Sequence, residues 1–285
     1  MTVERMSPLM ERLLVGSGSF LLVLISIFFS TSQYFHPIFV VLTGALIGTA
    51  VWEYCQMAFH KGYAPLTGLS VISTVVYVFA VFLSTKYSIA HSLPEIVLIV
   101  TMAAIFIYYF STGREPLVNT ALSLFPIAYL ALPLSCIIRI NYFDFPAHLS
   151  QDGRLWLLYA VMVTKMTDVG GYFVGKKWGH TLLSPMISPN KTREGAFGGL
   201  VCAILTSYVF SYLIGFSWIT AVILGVIISV LAQFGDLAES LLKRDTGVKD
   251  SSHLPGLGGS LDIVDSLVFT LPFVYIFLLV TTSSL

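Results

Sequence analysis

The sequence has few charged residues: Asp, Glu, Lys and Arg make up only 11% of its 285 residues, whereas 56% are hydrophobic. Soluble domains contain about 25% charged residues. This fraction is too low to cover a water-exposed protein surface with charged groups. We conclude that lipid surrounds most of the chain. The formal net charge is zero, so the bulk charge gives no reason to expect a nucleic-acid partner.

Cysteine is also scarce. Its three copies, Cys55, Cys136 and Cys202, stand singly in apolar stretches. There is no CxxC pair and no metal-type spacing, which favours their interpretation as small buried side chains. The six histidines are scattered, and no Ser-His-Asp or Cys-His arrangement is evident.

Long runs without charge are abundant. Asp, Glu, Lys and Arg are absent between Arg12 and Glu53, and again between Glu194 and Asp236. Because a helix needs about 20 apolar residues to cross the hydrocarbon core, each run can hold two spans. The first run lacks a small-residue cleavage pattern, so we expect it to be retained as a helix. The apolar runs predict nine spans, at about residues 13–31, 36–57, 66–84, 93–111, 116–139, 155–175, 196–214, 217–235 and 262–281.

We therefore expect an all-α fold, a polytopic membrane helix bundle with about nine transmembrane helices and a short amphipathic helix on the cytoplasmic side. Residues 1–140 are expected to form scaffold helices. Residues 141–285 carry the candidate functional residues and two polar loops, 176–195 and 236–261. The excess of Lys and Arg in alternate loops predicts a cytoplasmic N-terminus and places both polar loops in the cytoplasm. Only three basic residues then lie outside: Lys86, Arg139 and Arg154.

The segment from Gly235 to Asp250 is amphipathic. On a helix, one face carries four polar side chains and the opposite face carries leucines, which is typical of a helix at the membrane surface. The alternative is a solvated helix with one ion pair between residues four apart. The polar face consists of Asp236, Glu239, Ser240 and Lys243.

A glycine-rich turn, Pro255 to Gly259, precedes two aspartates at the start of the last span. Such a turn can offer backbone N–H groups to a phosphate. Asp262 and Asp265 are three residues apart, so we expect their side chains to point the same way. Two carboxylates at the end of a membrane helix are costly in free energy, and a bridging cation such as Mg²⁺ would offset that cost. The alternative is that the helix dipole favours Asp at a helix N-terminus, which would explain one of the two aspartates.

Two further polar segments precede these. Lys165 and Asp168 lie within the predicted sixth span, where charges are candidates for function, although a neutralised pair that only fixes helix packing is the alternative. Before the seventh span, two basic residues, Lys191 and Arg193, stand with the hydroxyls of Ser188 and Thr192, a combination that suits a polyphosphate. Basic residues in that loop would also follow from the positive-inside rule alone.

Together, the segments resemble the phosphatidate cytidylyltransferase (CDP-diacylglycerol synthase) family from about Lys165 to Ser266. The chain departs from the family pattern at two positions, with Leu257 where the family has His and Ile263 where it has Arg. The residues that match the family pattern are Asp168, Gly171, Tyr172, Phe173, Gly175, Ser188, Pro189, Lys191, Thr192, Glu194, Gly195, Ser240, Lys243, Arg244, Lys249, Asp250, Pro255, Gly256, Gly258, Gly259, Asp262, Asp265 and Ser266.

The resemblance implies a nucleotidyltransferase in the cell (inner) membrane, with its site facing the cytoplasm. It would join CTP to phosphatidic acid from the bilayer, releasing pyrophosphate and CDP-diacylglycerol, with Mg²⁺ as cofactor. A second cation and a homodimer are open possibilities. Metal is assigned to Asp236, Asp262, Asp265 and Asp168. The catalytic candidates are Lys243, Arg244, Lys249 and Asp250, and the substrate-binding candidates are Ser188, Lys191, Thr192, Glu194, Ser240, Gly256, Gly258 and Gly259.

Other functions are alternatives at this point. The nearest is a related membrane enzyme, either a polyprenol or phytol kinase or a cytidylyltransferase for another lipid phosphate. An ion or solute transporter is a second alternative, because Lys165 and Asp168 could line an ion path. An inactive scaffold is a third, which Leu257 and Ile263 keep open.

Overall fold

The computed structural model describes residues 23–87, 89–146, 151–248 and 259–283, which form an almost entirely helical bundle. The predicted all-α membrane fold is confirmed. The helices are α1 (residues 23–29), α2 (His36–His60), α3 (Thr67–Lys86), α4 (Leu93–Thr112), α5 (Pro116–Pro126), α6 (Leu132–Leu134), α7 (Cys136–Asn141), α8 (Gly153–Trp178), α9 (Arg193–Ile214), α10 (Trp218–Asp245), α11 (Ser260–Val264) and α12 (Leu267–Ser283). A π-helical turn (Ile127–Ala131) joins α5 to α6, and two short strands, β1 (Leu182–Ser184) and β2 (Ser188–Thr192), lie between α8 and α9.

Seven helical segments in the described residues are long and apolar enough to cross a membrane. They correspond to seven of the predicted spans and run over His36–His60, Thr67–Lys86, Leu93–Thr112, Pro116–Asn141, Arg193–Ile214, Trp218–Asp245 and Ser260–Thr282. The predicted sixth span is α8, which has 26 residues but is less apolar because it carries Lys165 and Asp168. Most of the first predicted span, 13–31, lies outside the described residues.

The predicted surface helix is not a separate element. Residues 218–245 form one continuous helix of 28 residues, α10, so the predicted eighth span and the amphipathic segment are the same helix. No proline interrupts the sequence between them, and Gly235 continues the helix. At 1.5 Å per residue, α10 is about 42 Å long, which exceeds the roughly 30 Å of hydrocarbon. Its polar last turns therefore extend beyond the apolar layer.

The segment 176–195, expected to be a loop, is more ordered than predicted. Helix α8 continues to Trp178, β1 and β2 form an antiparallel hairpin, and α9 begins at Arg193. In the hairpin Leu182 lies opposite Thr192, and Ser184 lies opposite Ser188. The hairpin therefore holds the predicted substrate segment against the ends of two helices.

Helices α8 and α9 pack closely because glycines line their contact. A Cβ atom at Gly198 would collide with the side chain of Val174, and one at Gly199 would lie 2.7 Å from the carbonyl oxygen of Thr167. Small residues of this kind allow membrane helices to approach backbone to backbone. This contact builds one wall of the site described below.

Described basic residues that the sequence places on opposite sides of the membrane lie at opposite ends of the bundle. At one end, Lys61 pairs with Asp245 at 2.6 Å, which brings the end of α2 to the end of α10. At the other end, Arg154 donates to the carbonyl oxygen of Phe28 at 3.1 Å, and Lys86 lies 5.4 Å from the ring centre of Tyr142. The loops after α8 and α10 share the first end, because the Arg244 side chain donates to the carbonyl oxygen of Ile187 at 3.2 Å.

Candidate active site

Three carboxylates converge at the first end of the bundle. One oxygen from each of Asp236, Glu239 and Asp265 lies within 4.8 Å of the others. Glu239 and Asp265 are buried, with only 2% and 6% of their surface exposed. Buried like charges repel strongly at this separation, so the arrangement requires protons or a cation to be stable.

Gly235 brings the two parts of this group together. A Cβ atom at this position would collide with the carbonyl oxygen of Asp265, so only glycine allows α10 to approach the turn between α11 and α12. Asp236 is the next residue on α10, and this close approach places its side chain beside that of Asp265. Hydropathy and charge patterns alone did not identify Gly235 as a site residue.

Lys165 joins α8 to the same turn. Its ammonium group donates to the carbonyl oxygen of Ile263 at 2.9 Å and to the Ser266 hydroxyl at 3.0 Å, and it lies 3.3 Å from Asp168. Ser266 in turn donates from its hydroxyl to Asp168 at 3.1 Å and from its backbone N–H to Asp265 at 2.5 Å. The predicted Lys165–Asp168 pair is therefore present, and it belongs to the carboxylate site as well as to the packing of α8.

Two further lysines balance the acidic groups. Lys191 pairs with Asp236 at 2.6 Å, whereas Lys243 pairs with Glu239 at 2.8 Å and also with Asp262. The catalytic role of Lys243 stays a prediction, and in this structure carboxylates hold its ammonium group.

The charges of this site suit a divalent cation. Three ammonium groups face five carboxylates, which leaves two formal negative charges when all of them are ionised. In addition, one oxygen of Glu239, Oε1, is buried and has no hydrogen-bond partner among the described residues. Oxygen ligands of this kind are those that Mg²⁺ prefers. The residues present therefore fit a divalent cation held by Asp236, Glu239 and Asp265.

This set differs from the predicted one, because Asp262 is not part of the converging group. Its side chain turns back to accept the backbone N–H of Gly259 at 2.9 Å and to pair with Lys243. Asp262 is the third residue of α11 and caps the start of its own helix, whereas Asp265 follows its end. In this structure the two aspartates therefore have different partners, and the metal-binding role of Asp262 stays a prediction. Glu239 takes the place of Asp262, and its spacing of three residues after Asp236 is the pattern that could have revealed it.

A cavity of about 590 Å³ opens beside the carboxylates. Asp236 belongs to both, since it lines the cavity and is a member of the converging group. Such a volume is typical of sites for small molecules. The lining comes from α8, the hairpin, the start of α9 and α10, and comprises Thr167, Asp168, Gly171, Tyr172, Gly175, Lys176, Leu183, Ser188, Asn190, Lys191, Thr192, Gly195, Ala196, Gly199, Gln233 and Asp236.

The predicted substrate segment contributes unequally to this cavity. Ser188, Lys191 and Thr192 line it. The Thr192 hydroxyl also caps α9 by accepting the N–H of Gly195 at 3.1 Å. Glu194 is not in the lining: its carboxylate accepts the backbone N–H groups of residues 180 and 181, at 3.1 Å for the first, and so fixes the chain between α8 and β1. In this structure Glu194 therefore shapes the hairpin.

The remaining predicted residues are placed as follows. Arg244 is exposed and ties the end of α10 to the hairpin, and Ser240 is half-buried on α10. The backbone N–H of Gly259 is occupied by Asp262, so it is not free to receive a phosphate as expected. Ile263, which departs from the family pattern, is half-buried against the apolar core. Six positions of the family pattern lie outside the described residues: Lys249, Asp250, Pro255, Gly256, Leu257 and Gly258.

The fold and the site together define a class of protein: a multi-pass helical membrane protein with a carboxylate-rich polar site at one end of its bundle. Comparison with known proteins specifies this class further. Residues 16–281 match the model of the cytidylyltransferase family, so the chain belongs to that family. This confirms the predicted resemblance and the predicted enzyme class, a nucleotidyltransferase.

Similar proteins agree with this assignment. The chain is 34% identical to a phosphatidate cytidylyltransferase of Chlamydia muridarum, over 96% of this chain and 94% of the relative. It is 33% identical to a protein of the same name from Chlamydia pneumoniae, over 86% of this chain and 83% of the relative. A third protein of that name, from Staphylococcus aureus strain COL, is 42% identical over 50% of this chain and 58% of its own length.

Proposed function

We propose that this protein transfers the cytidylyl group of CTP to phosphatidate and so makes CDP-diacylglycerol and pyrophosphate. The family of the chain and the names of its relatives support this reaction. The structural observation that supports the proposal is that Asp236 both lines the cavity and belongs to the converging carboxylates. A phosphate group in the cavity would therefore lie next to the place where a divalent cation fits.

The reaction is a displacement at phosphorus. A phosphate oxygen of phosphatidate bonds to the α-phosphorus of CTP while the bond from that phosphorus to the bridging oxygen of the β-phosphate breaks. Pyrophosphate leaves with the electron pair of the broken bond. The attacking phosphate is already ionised, so no strong base has to remove a proton. A site built from carboxylates and lysines is consistent with a reaction that needs no strong base.

Both substrates are anionic, so the site must offset their repulsion. A divalent cation, which we propose to be Mg²⁺, would neutralise phosphate charge and hold the reacting groups in line. Asp236, Glu239 and Asp265 would hold it, with Asp168 beside them through Ser266. A second cation stays a prediction.

The chain's own cations complete the site. Lys191 lines the cavity next to Asp236 and is the best-placed ammonium group to contact a substrate phosphate. Lys176 stands at the cavity wall on the last turn of α8. Glycines at positions 171, 175, 195 and 199 form part of the same wall, and their lack of side chains lets α8 and α9 approach closely there.

We further propose that this end of the bundle faces the cytoplasm from the cell membrane. Lys61, Lys191 and Arg244 gather at this end, which is the distribution that the positive-inside rule associates with the cytoplasm. CTP would then reach the site from water, whereas phosphatidate would enter sideways from the bilayer. The homodimer and the division of the chain at about residue 140 stay predictions.

The test is an assay of the purified protein in detergent with phosphatidate, Mg²⁺ and CTP labelled at the α- or the γ-phosphate. We expect the α-label to enter the lipid fraction and the γ-label to appear in pyrophosphate. Transfer of the γ-label to a lipid with release of CDP would instead identify a lipid kinase. Absence of any transfer would contradict the proposed reaction.

A further inference from the structure

Glu53 is a buried acidic residue outside the region that carries the predicted functional residues. It lies on α2, about two turns before the end of that helix, and only 1% of its surface is exposed. Its two carboxylate oxygens accept the backbone N–H groups of Ser260 and Leu261, at 2.9 and 2.8 Å. These residues begin α11, so Glu53 caps that helix from another span. Charge-assisted hydrogen bonds to the positive end of a helix are among the stronger polar contacts.

The first turn of α11 is consequently held from two sides. Glu53 takes the first two helical N–H groups, and Asp262 takes the N–H of Gly259 just before them. In addition, the Thr49 hydroxyl on α2 donates to the Ser260 hydroxyl at 3.0 Å. The first N–H groups of a helix have no partner within the helix, and here they are satisfied by carboxylates.

This capping matters for the carboxylate site because α11 is short. It has five residues, and an isolated helix of that length is not stable, so its position depends on contacts from outside. Asp265 follows the last residue of α11, one turn after the N–H groups that Glu53 holds. A shift of the first turn would therefore be transmitted to Asp265 and change its distance from Asp236.

We propose that Glu53 is a positioning residue for the divalent-cation site: by capping α11 it fixes where Asp265 lies relative to Asp236 and Glu239. This inference rests on the proposed function for its cation but concerns a different part of the chain. Residues that orient metal ligands through hydrogen bonds typically change metal affinity or activity about 10- to 100-fold when they are substituted. The N-terminal helices would then contribute to the site as well as to the scaffold.

The experiment compares Glu53→Gln with the wild-type protein in detergent. The first readout is Mn²⁺ binding, measured by the electron paramagnetic resonance signal of free Mn²⁺, which does not depend on turnover. We expect the dissociation constant to rise at least about tenfold in Glu53→Gln, because the amide removes one acceptor and places N–H against N–H. The matched control is Glu95→Gln, an exposed acidic residue in the first turn of α4, for which we expect unchanged binding.

Activity gives a second readout. In Glu53→Gln we expect a higher Mg²⁺ concentration for half-maximal activity and a lower kcat, with the KM for CTP at saturating Mg²⁺ within about twofold of wild type. A change confined to the KM for CTP would overturn the proposal. So would unchanged Mn²⁺ binding by a variant that elutes and melts like the wild-type protein.

A second variant keeps the test decisive if Glu53→Gln does not fold. Ser260→Pro retains Glu53 but removes the N–H that Ser260 donates, and proline is well tolerated at the first position of a helix. The preceding Gly259 has extended backbone angles, φ −79° and ψ 155°, which suit a residue before proline. We expect Mn²⁺ binding to weaken several-fold, and unchanged binding would contradict the role of Glu53. Because Mn²⁺ binding is measured without substrates, its outcome is independent of whether phosphatidate proves to be the acceptor.

Discussion

The carbonyl oxygen of Asp265 packs directly against the α-carbon of Gly235, with no space for a side chain between them. This single contact joins the two segments of the C-terminal region that bear the acidic residues. Asp236 follows the glycine on α10, and Asp265 belongs to the turn before α12, so the contact sets the separation of their carboxylates. We therefore expect the site to depend on backbone packing as well as on its charged side chains.

The first prediction concerns this contact. Gly235→Ala should force α10 away from the turn, because the nearest obstacle is backbone that cannot rotate aside. We expect loss of about 1–3 kcal/mol of stability, as for other overpacked sites, and a drop in activity larger than that of the folded fraction. Thermal unfolding and cytidylyl transfer, measured on the same preparation, check both.

The control for this substitution is Gly68→Ala. Gly68 lies in the first turn of α3, and a Cβ atom there would meet no other atom within 4 Å. We expect wild-type activity and unchanged or slightly higher stability, because alanine is the better helix former. Wild-type activity in Gly235→Ala would show that the close approach is not needed for the site.

The second prediction distinguishes the observed carboxylate group from the one expected from sequence. Asp265→Asn and Glu239→Gln should each reduce turnover more than about 100-fold, because each removes a negative charge that faces the cation. Substituting residues that only orient metal ligands already lowers activity or metal affinity by about 10- to 100-fold. Asp262→Asn should cost less than either, because Asp262 caps α11 and pairs with Lys243. Single-turnover rates of the three variants test this order.

Asp245→Asn is the matched control on the same helix. Asp245 pairs with Lys61 at the surface, where an ion pair contributes at most about 1 kcal/mol, so activity should be unchanged. Elution of each variant as a monodisperse protein would confirm folding. If Asp262→Asn were as damaging as Asp265→Asn, the predicted ligand set would be preferred over the observed one.

The third prediction is the effect of metal on stability. Adding Mg²⁺ at about 100 times its dissociation constant should stabilise the wild-type protein by about 2.7 kcal/mol, visible as a higher melting temperature. Asp265→Asn should show little of this shift, because it lacks one of the carboxylates that converge on the site. Chelation with EDTA should abolish transfer, and Mg²⁺ should restore it. Full activity in EDTA would exclude the proposed cation.

The fourth prediction tests Lys191. Lys191→Met keeps much of the apolar stem but removes the ammonium group that lines the cavity, so the KM for an anionic substrate should rise about tenfold or more. Lys177→Met is the control, since Lys177 is exposed and lies over the ring of Trp178 at 4.5 Å, away from the cavity lining. Equal effects of the two substitutions on the KM would indicate general attraction of anions to this end of the bundle.

Much of this protein could be predicted before any coordinates. The positions of the spans follow from runs of apolar residues, because a helix that contacts lipid must expose mostly apolar side chains to it. Six of the seven spans in the described residues begin and end close to the predicted limits, whereas α10 continues past its predicted end at residue 235 to Asp245. The order of the polar motifs also indicated the family. The excess of Lys and Arg in alternate loops indicated which helix ends lie together at each end of the bundle.

The partners of each carboxylate could not be predicted in this way. Asp262 and Asp265 look equivalent in the sequence, yet Asp262 caps its own helix and pairs with Lys243, whereas Asp265 joins the carboxylates of Asp236 and Glu239. Glu239 resembled half of a surface ion pair, but the continuous helix α10 carries it into the buried group. Glu53 is separated by more than 200 residues from the N–H groups that it accepts. Such relationships depend on how helices from distant parts of the chain pack, and local composition does not encode that packing.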